Sequence, residues 1–159
     1  MTTLFVTSSS HGSTREIAER VAEVLRTSQS VETVVEDVAG AAAWLATADA
    51  VIVAAPVYEG SLAADARHFL DSRRAELADK PLLFLASGGG YELDPKVREK
   101  LESYGPREIA FFRGALVEER LGWLEKLKLK VSRNENYGDY RDWDAIEAWA
   151  KSLSGHGVR

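Results

Sequence analysis

Eight consecutive residues, Thr7-Ser8-Ser9-Ser10-His11-Gly12-Ser13-Thr14, carry six hydroxyl side chains and lead directly into a stretch with helical spacing. The first backbone N–H groups of a helix and the positive end of its dipole suit a phosphate. Hydroxyls donate to a phosphate dianion without neutralising it, so no Lys or Arg is required. The stretch is not a Walker loop, because Gly-Lys-Ser/Thr is absent, and it is not G-x-G-x-x-G. Its plainer reading is a solvated turn in which Ser13 caps the helix and Glu16 completes a capping box. Two further stretches have the composition of ligand loops: Pro56-Val57-Tyr58-Glu59-Gly60-Ser61 and Ser87-Gly88-Gly89-Gly90-Tyr91. Pro56 stiffens the first, and three glycines let the second approach a ligand closely. Tyr58 and Tyr91, one beside each loop, fit a flat ring held between them; either aromatic alone reads first as packing, and the three loops together reverse that reading. Ser9, Ser10, His11, Gly12, Ser13 and Thr14 are thus the expected anion contacts. Pro56, Val57, Tyr58, Glu59 and Gly60, with Ser87, Gly88, Gly89, Gly90 and Tyr91, are the expected ring contacts. No residue is assigned as acid, base, nucleophile or metal ligand.

The elements that must position these loops alternate in period. Leu4-Phe5-Val6, residues 50–55, 81–86 and Ile109-Ala110-Phe111-Phe112 are short apolar runs without strict alternation, the habit of strands buried on both faces. Residues 31–35 form a weaker, edge-like candidate. Between the runs lie helical patterns: Ile17, Val21, Val24 and Leu25 after Ser13, the Ala-rich 41–46, residues 63–77, residues 95–104, and residues 143–153 with a Trp143-Ile146-Trp149-Ala150-Leu153 stripe. This alternation predicts an α/β fold of three layers, a doubly wound five-stranded parallel sheet with right-handed crossovers and strand order 2-1-3-4-5. In such sheets ligands sit beyond the carboxyl ends of the strands, where all three loops fall.

Composition narrows the chemistry. The chain has 159 residues, 45% hydrophobic and 28% charged, which fits one globular domain over residues 1–154 and a flexible tail at 155–159. Cysteine is absent, which excludes disulfides, thiolate metal sites and thiol nucleophiles. His11, His68 and His156 are too scattered for a histidine metal site. With 20 Lys+Arg against 25 Asp+Glu, the net charge of −5 speaks against general nucleic-acid binding. No apolar run reaches a membrane span, and the first residues are too short and polar for a signal peptide, so a cytoplasmic protein is expected. Residues 117–137 exceed what the fold needs. There Leu121, Leu124, Lys128 and Val131 share a helical face, with Trp123 and Leu127 flanking. Lys126, Lys128, Lys130 and Arg133 form a basic cluster. A helix over the sheet edge and a peripheral membrane or quinone-side contact are the two readings of it.

These residues resemble a family. Ser9-Ser10-His11-Gly12-Ser13-Thr14 is similar to the flavodoxin phosphate loop Thr-x-Thr-Gly-x-Thr, with Gly12 and Thr14 matching. The Ala-Pro exit before Val57-Tyr58-x-Gly60 and the run Phe112-Arg113-Gly114-Ala115-Leu116 match as well. Gly138-Asp139-Tyr140-Arg141-Asp142-Trp143-Asp144-Ala145-Ile146 resembles the bacterial flavodoxin-domain branch related to menaquinone-dependent protoporphyrinogen oxidase. From its own residues, this segment also reads as structural, with Asp139 or Asp142 capping the last helix and Trp143 anchoring it. The resemblance runs from Leu4 to Leu153. It implies a flavodoxin-like fold, FMN bound non-covalently by the three loops, and redox chemistry on the flavin with a quinone or a redox protein as partner. A generic electron-carrier flavodoxin and a flavin-free interaction module of the same shape are the alternatives. A phosphorelay receiver is disfavoured, because no acidic pair follows the first strand.

Overall fold

A computed structural model describes residues 1–8, 12–116 and 138–153. The sheet contains β1 (Thr2–Thr7), β2 (Glu32–Asp37), β3 (Ala50–Tyr58), β5 (Leu82–Gly88) and β6 (Glu108–Arg113), all parallel, in the order β2-β1-β3-β5-β6. The two-residue β4 (Ser61–Leu62) adds to β3 in the antiparallel sense. With β4 set aside, this is the flavodoxin-like 2-1-3-4-5 order expected from the alternation of periods.

Along β3, Val51, Val53 and Ala55 face one core, while Ala50, Ile52 and Ala54 face the other; Phe84 and Leu85 divide in the same way along β5. The first core is closed by α2 (Val38–Leu45), α3 (Ala64–Ser72), α4 (Arg74–Ala78) and α5 (Pro95–Glu102), through Leu45, Phe69, Leu77 and Leu101. The second is closed by α1 (Ser13–Gln29) and α6 (Trp143–Ser152), through Ile17, Val21, Leu25, Ile146 and Leu153. Central strands buried on both faces explain their unbroken apolar runs. β6 is the sheet edge, and of its six residues only Ala110 is buried.

Three local readings are corrected. The segment expected as one helix over residues 63–77 is two helices broken at Arg73, whose φ of −114° leaves the helical region. Beside the break, the Phe69 carbonyl accepts both the Arg73 N–H (3.0 Å) and the Ser72 hydroxyl (3.2 Å), which closes the last turn of α3. The expected capping box is not formed. Gly12 is the N-cap of α1, at φ 77°, Ser13 is the first helical residue, and Glu16 instead pairs with Arg141. Finally, residues 56–61 are not an open loop. β3 runs on to Tyr58 and returns through Glu59-Gly60 to β4, with Tyr58 opposite Ser61. Both turn residues have positive φ, 49° and 76°, as a type I′ hairpin demands. The surplus segment 117–137 and the tail 155–159 lie outside the described residues.

Candidate functional site

Three strand ends and one helix start meet at one place on the carboxyl edge of the sheet. Gly88 ends β5 in register with Arg113 at the end of β6, and the Gly114 N–H donates to the Gly88 carbonyl at 2.9 Å. A methyl group placed on Gly114 would lie 3.7 Å from the Ser13 hydroxyl and 3.9 Å from the Gly88 backbone. One placed on Gly88 would lie 3.5 Å from the Val57 carbonyl and 3.4 Å from the Phe111 ring. The start of α1, the end of β3, the glycine run and the β6 exit therefore converge within van der Waals reach. A first side-chain carbon at 88 or 114 would sit in ordinary van der Waals contact, so these distances mark how close the segments lie.

Around this hub, the first turn of α1 has no side-chain cap among the described residues. Ser13 is nine-tenths buried and Thr14 almost wholly so. The Thr14 hydroxyl lies 2.6 Å from that of Ser87, joining the helix start to the β5 exit. Ser8, also buried, donates from its hydroxyl to Asp65 (2.7 Å), which fixes the end of β1 against α3. On the ring side, Tyr58 is 40% and Tyr91 82% exposed. Gly89 has no atom within 4 Å of where a Cβ would stand, so the backbone there borders open space. Gly60 sits near Asp94, whose carboxylate would be 3.5 Å from a Cβ at that position. Asp94 also caps α5 through the Lys96 N–H (2.8 Å). Beside the glycine run, a cleft of about 490 Å³ is lined by Tyr91, Leu93, Pro95, Arg98 and Phe111. A larger groove runs instead along the flank of α1, where Arg15 pairs with Glu19 and Arg20 with Glu23; it is a solvated face of ion pairs.

The structure thus brings Gly12, Ser13 and Thr14, the stretch from Pro56 to Gly60, and the stretch from Ser87 to Tyr91 to the same sheet edge. Ser9, Ser10 and His11 lie outside the described residues. The hub also includes residues missed as site candidates in the sequence, Arg113, Gly114 and Tyr140. The guanidinium carbon of Arg113 lies 4.2 Å from the Tyr91 ring centre and 4.3 Å from that of Tyr140. Tyr140 is delivered by β7 (Ala115–Leu116) and β8 (Gly138–Asp139), which pair antiparallel, and its N–H donates to the Gly114 carbonyl (3.3 Å). The signal for this fourth loop was the run Phe112 to Leu116; its antiparallel partner twenty-odd residues later has no spacing rule to announce it.

The segment entering α6 is an ionic brace. Asp142 caps α6 by accepting from the Ala145 N–H (3.0 Å), and Trp143 packs against the second core. Arg141, whose side chain is 8% exposed, donates to Asp139 (2.8 and 2.6 Å) and to Glu16 of α1, and lies over Trp143 at 4.8 Å. Its guanidinium is held above its ordinary value, chiefly by Asp139 and further by Glu16, against the opposing effect of burial. Among the described residues no group of three acidic or imidazole side chains could hold a metal ion, and no helix is long and apolar enough to cross a membrane.

Comparison with solved structures agrees with the topology. Oxidised flavodoxin 1 from Bacillus cereus is 19% identical, with a TM-score of 0.63 over 98% of this chain and 99% of that one. An oxidoreductase from Corynebacterium diphtheriae gives 19% and 0.61 over 99% and 97%. A flavo di-iron protein from Thermotoga maritima gives 14% and 0.66 over 99% of this chain but 36% of that one, so this chain spans about a third of its length. No curated protein sequence matches the chain. The flavodoxin domain family matches residues 4–142, and the chain belongs to that family.

Proposed function

We propose that the protein binds FMN across the four-loop hub and works as an electron-transfer flavoprotein. The observation that carries this reading is the convergence of the α1 start, the β3 end, the glycine run and the β6 exit on one crevice. The residues fit the cofactor's two ends. An uncapped helix start with Gly12, Ser13 and Thr14, joined in the expectation by Ser9, Ser10 and His11, would hold the phosphate. Gly89, bordering open space, and the exposed rings of Tyr58 and Tyr91 would hold the flavin. FMN, once bound, supplies the acceptance and release of electrons, and the protein supplies binding, orientation and electrostatics. Thr14 and Ser87 lock the phosphate end to the ring end, so the two halves of the crevice keep a fixed spacing.

The finer reading is a protoporphyrinogen-dehydrogenase-like oxidoreductase that passes electrons to a quinone, cytoplasmic and peripheral at the inner face of the membrane. It is supported by the resemblance of residues 138–146, where Asp139, Arg141, Asp142 and Trp143 are each engaged in the brace to α1 and α6. The segment 117–137, which carries the Lys126, Lys128, Lys130 and Arg133 cluster and lies outside the described residues, would shape access for the acceptor.

Titration of the purified protein with FMN, followed by quenching of flavin fluorescence, tests the first reading. Saturable 1:1 quenching is expected. An absence of quenching would leave the flavin-free interaction module standing. Tyr58→Ala should loosen FMN while Tyr58→Phe is mild, and equal effects would assign the role to the hydroxyl rather than the ring. A quinone-reduction assay with the FMN-loaded protein tests the second reading, and a loaded protein that reduces no quinone would leave the electron carrier.

A further inference from the structure

The guanidinium of Arg113 closes one wall of the hub. It lies between two aromatic rings, 4.2 Å from Tyr91 and 4.3 Å from Tyr140, at distances where a cation and a ring face attract. Its Nη2 donates to the Gly89 carbonyl at 3.2 Å, so the charge is anchored to the glycine run itself. Its Nε is buried and meets no hydrogen-bond partner among the described residues. With two rings beside it and its Nε buried, the charge gives up part of its hydration, and its field is screened less than that of a fully exposed cation. It is also a positive charge at the ligand edge of a chain whose net charge is −5.

A fixed cation beside a ligand with two oxidation states binds the state with more negative charge more tightly. We infer that the Tyr91–Arg113–Tyr140 stack biases the site toward the reduced form of its flavin, raising the midpoint potential and suiting the protein to accept electrons rather than to deliver them at low potential. The inference rests on the flavin reading above. Arg113 acts here as a positioning and electrostatic residue: it orders Tyr91 and the Gly89 carbonyl, and its charge reaches the crevice through them.

The test is a spectroelectrochemical titration of the FMN-loaded wild type, Arg113→Gln, Arg113→Lys and Tyr140→Leu. Affinity for oxidised FMN and the near-ultraviolet circular dichroism of the ligand-free proteins are measured alongside. Arg113→Gln should lower the ratio of reduced to oxidised affinity about tenfold, which is about 30 mV for a two-electron couple. Its affinity for oxidised FMN should change less than that ratio. The tyrosine dichroism should weaken even without flavin, because the clamp has lost its centre. Arg113→Lys keeps the charge and should recover most of the potential without recovering the dichroism. Tyr140→Leu, which wets the cation without touching the glycine run, should lower the potential in the same direction and serves if Arg113→Gln does not fold. An unchanged midpoint in flavin-loaded Arg113→Gln, or in Tyr140→Leu in its place, overturns the inference while leaving the flavin reading intact. A wild-type protein that binds no FMN overturns both.

Discussion

Thr14 and Ser87 are 73 residues apart in sequence, and their hydroxyls are 2.6 Å apart in a site where Thr14 is 1% and Ser87 2% exposed. Each is the only side-chain partner of the other among the described residues. Thr14→Val preserves shape but leaves the Ser87 hydroxyl buried and unsatisfied, at a cost of about 1–2 kcal/mol; Ser87→Ala strands Thr14 to a similar degree. Removing both polar groups removes the desolvation penalty with the bond, so the double variant should sit within about 1 kcal/mol of wild type. Singles of about 1.5 kcal/mol each and a double of about 1 kcal/mol imply a coupling of about 2 kcal/mol. For a chain of this length each single should lower Tm by about 3–6 °C. Urea unfolding and thermal melts of the four proteins should be run without flavin, because ligand linkage would otherwise mask the difference. Additive losses, with a coupling below about 0.5 kcal/mol, would show that the two hydroxyls do not depend on each other and that the α1 start is not tied to β5 through them.

Other outcomes follow from the same structure. At the type I′ turn, Gly60→Ala places a side chain at φ 76° and should cost about 1–2 kcal/mol in a melt, whereas Glu59→Asn, at φ 49°, should raise Tm slightly. Arg141→Met leaves Glu16 and Asp139 without their guanidinium. Since those carboxylates are 36% and 47% exposed, the loss should be about 1–3 kcal/mol in urea unfolding, and it should shrink in a Glu16→Gln background. The Tyr104 hydroxyl donates to Asp71 at 2.5 Å and holds that carboxyl below its ordinary value. A lowered carboxyl stabilises the fold above its unfolded pKa near 3.8, and the contribution is lost as pH falls through the folded value. Tyr104→Phe should therefore bring the Asp71 titration, followed by NMR, back toward the ordinary value. An Asp71 titration unmoved by Tyr104→Phe would assign the shift to Lys100 and Arg74 instead.

The sheet was legible because its physics is local. Unbroken apolar runs such as residues 50–55 reflect strands covered on both faces, and helical stripes such as Ile17-Val21-Leu25 reflect one buried flank. The loops after β1, β3 and β5 followed from the rule that ligands lie at the carboxyl edge. Other features depend on partners far along the chain. Ser13-x-x-Glu16 has the sequence of a capping box, but Arg141, 125 residues away, takes the Glu16 carboxylate, and Gly12 becomes the cap. Glu59-Gly60 is a hairpin turn whose first residue is neither Asn nor Gly, so the usual signal was missing. The pairing that carries Tyr140 to Arg113 joins two-residue strands, β7 and β8, too short to leave a periodic trace.

The hub is built from Ser13, Val57, Gly88 and Gly114, which span most of the chain, and every crossover between them is parallel. Such long-range pairings close late and slowly during folding, because loop entropy is spent before the contacts repay it. No fragment of the chain can therefore assemble the crevice ahead of the sheet. A ligand bound there would brace three distant strand ends and the start of α1 at once and would discriminate fully between native and unfolded chains. At a hundredfold excess over Kd such linkage amounts to about 2.7 kcal/mol. In a cell, the lifetime of this chain against proteolysis would then track the supply of its ligand, and the empty form would be the one most readily cleared.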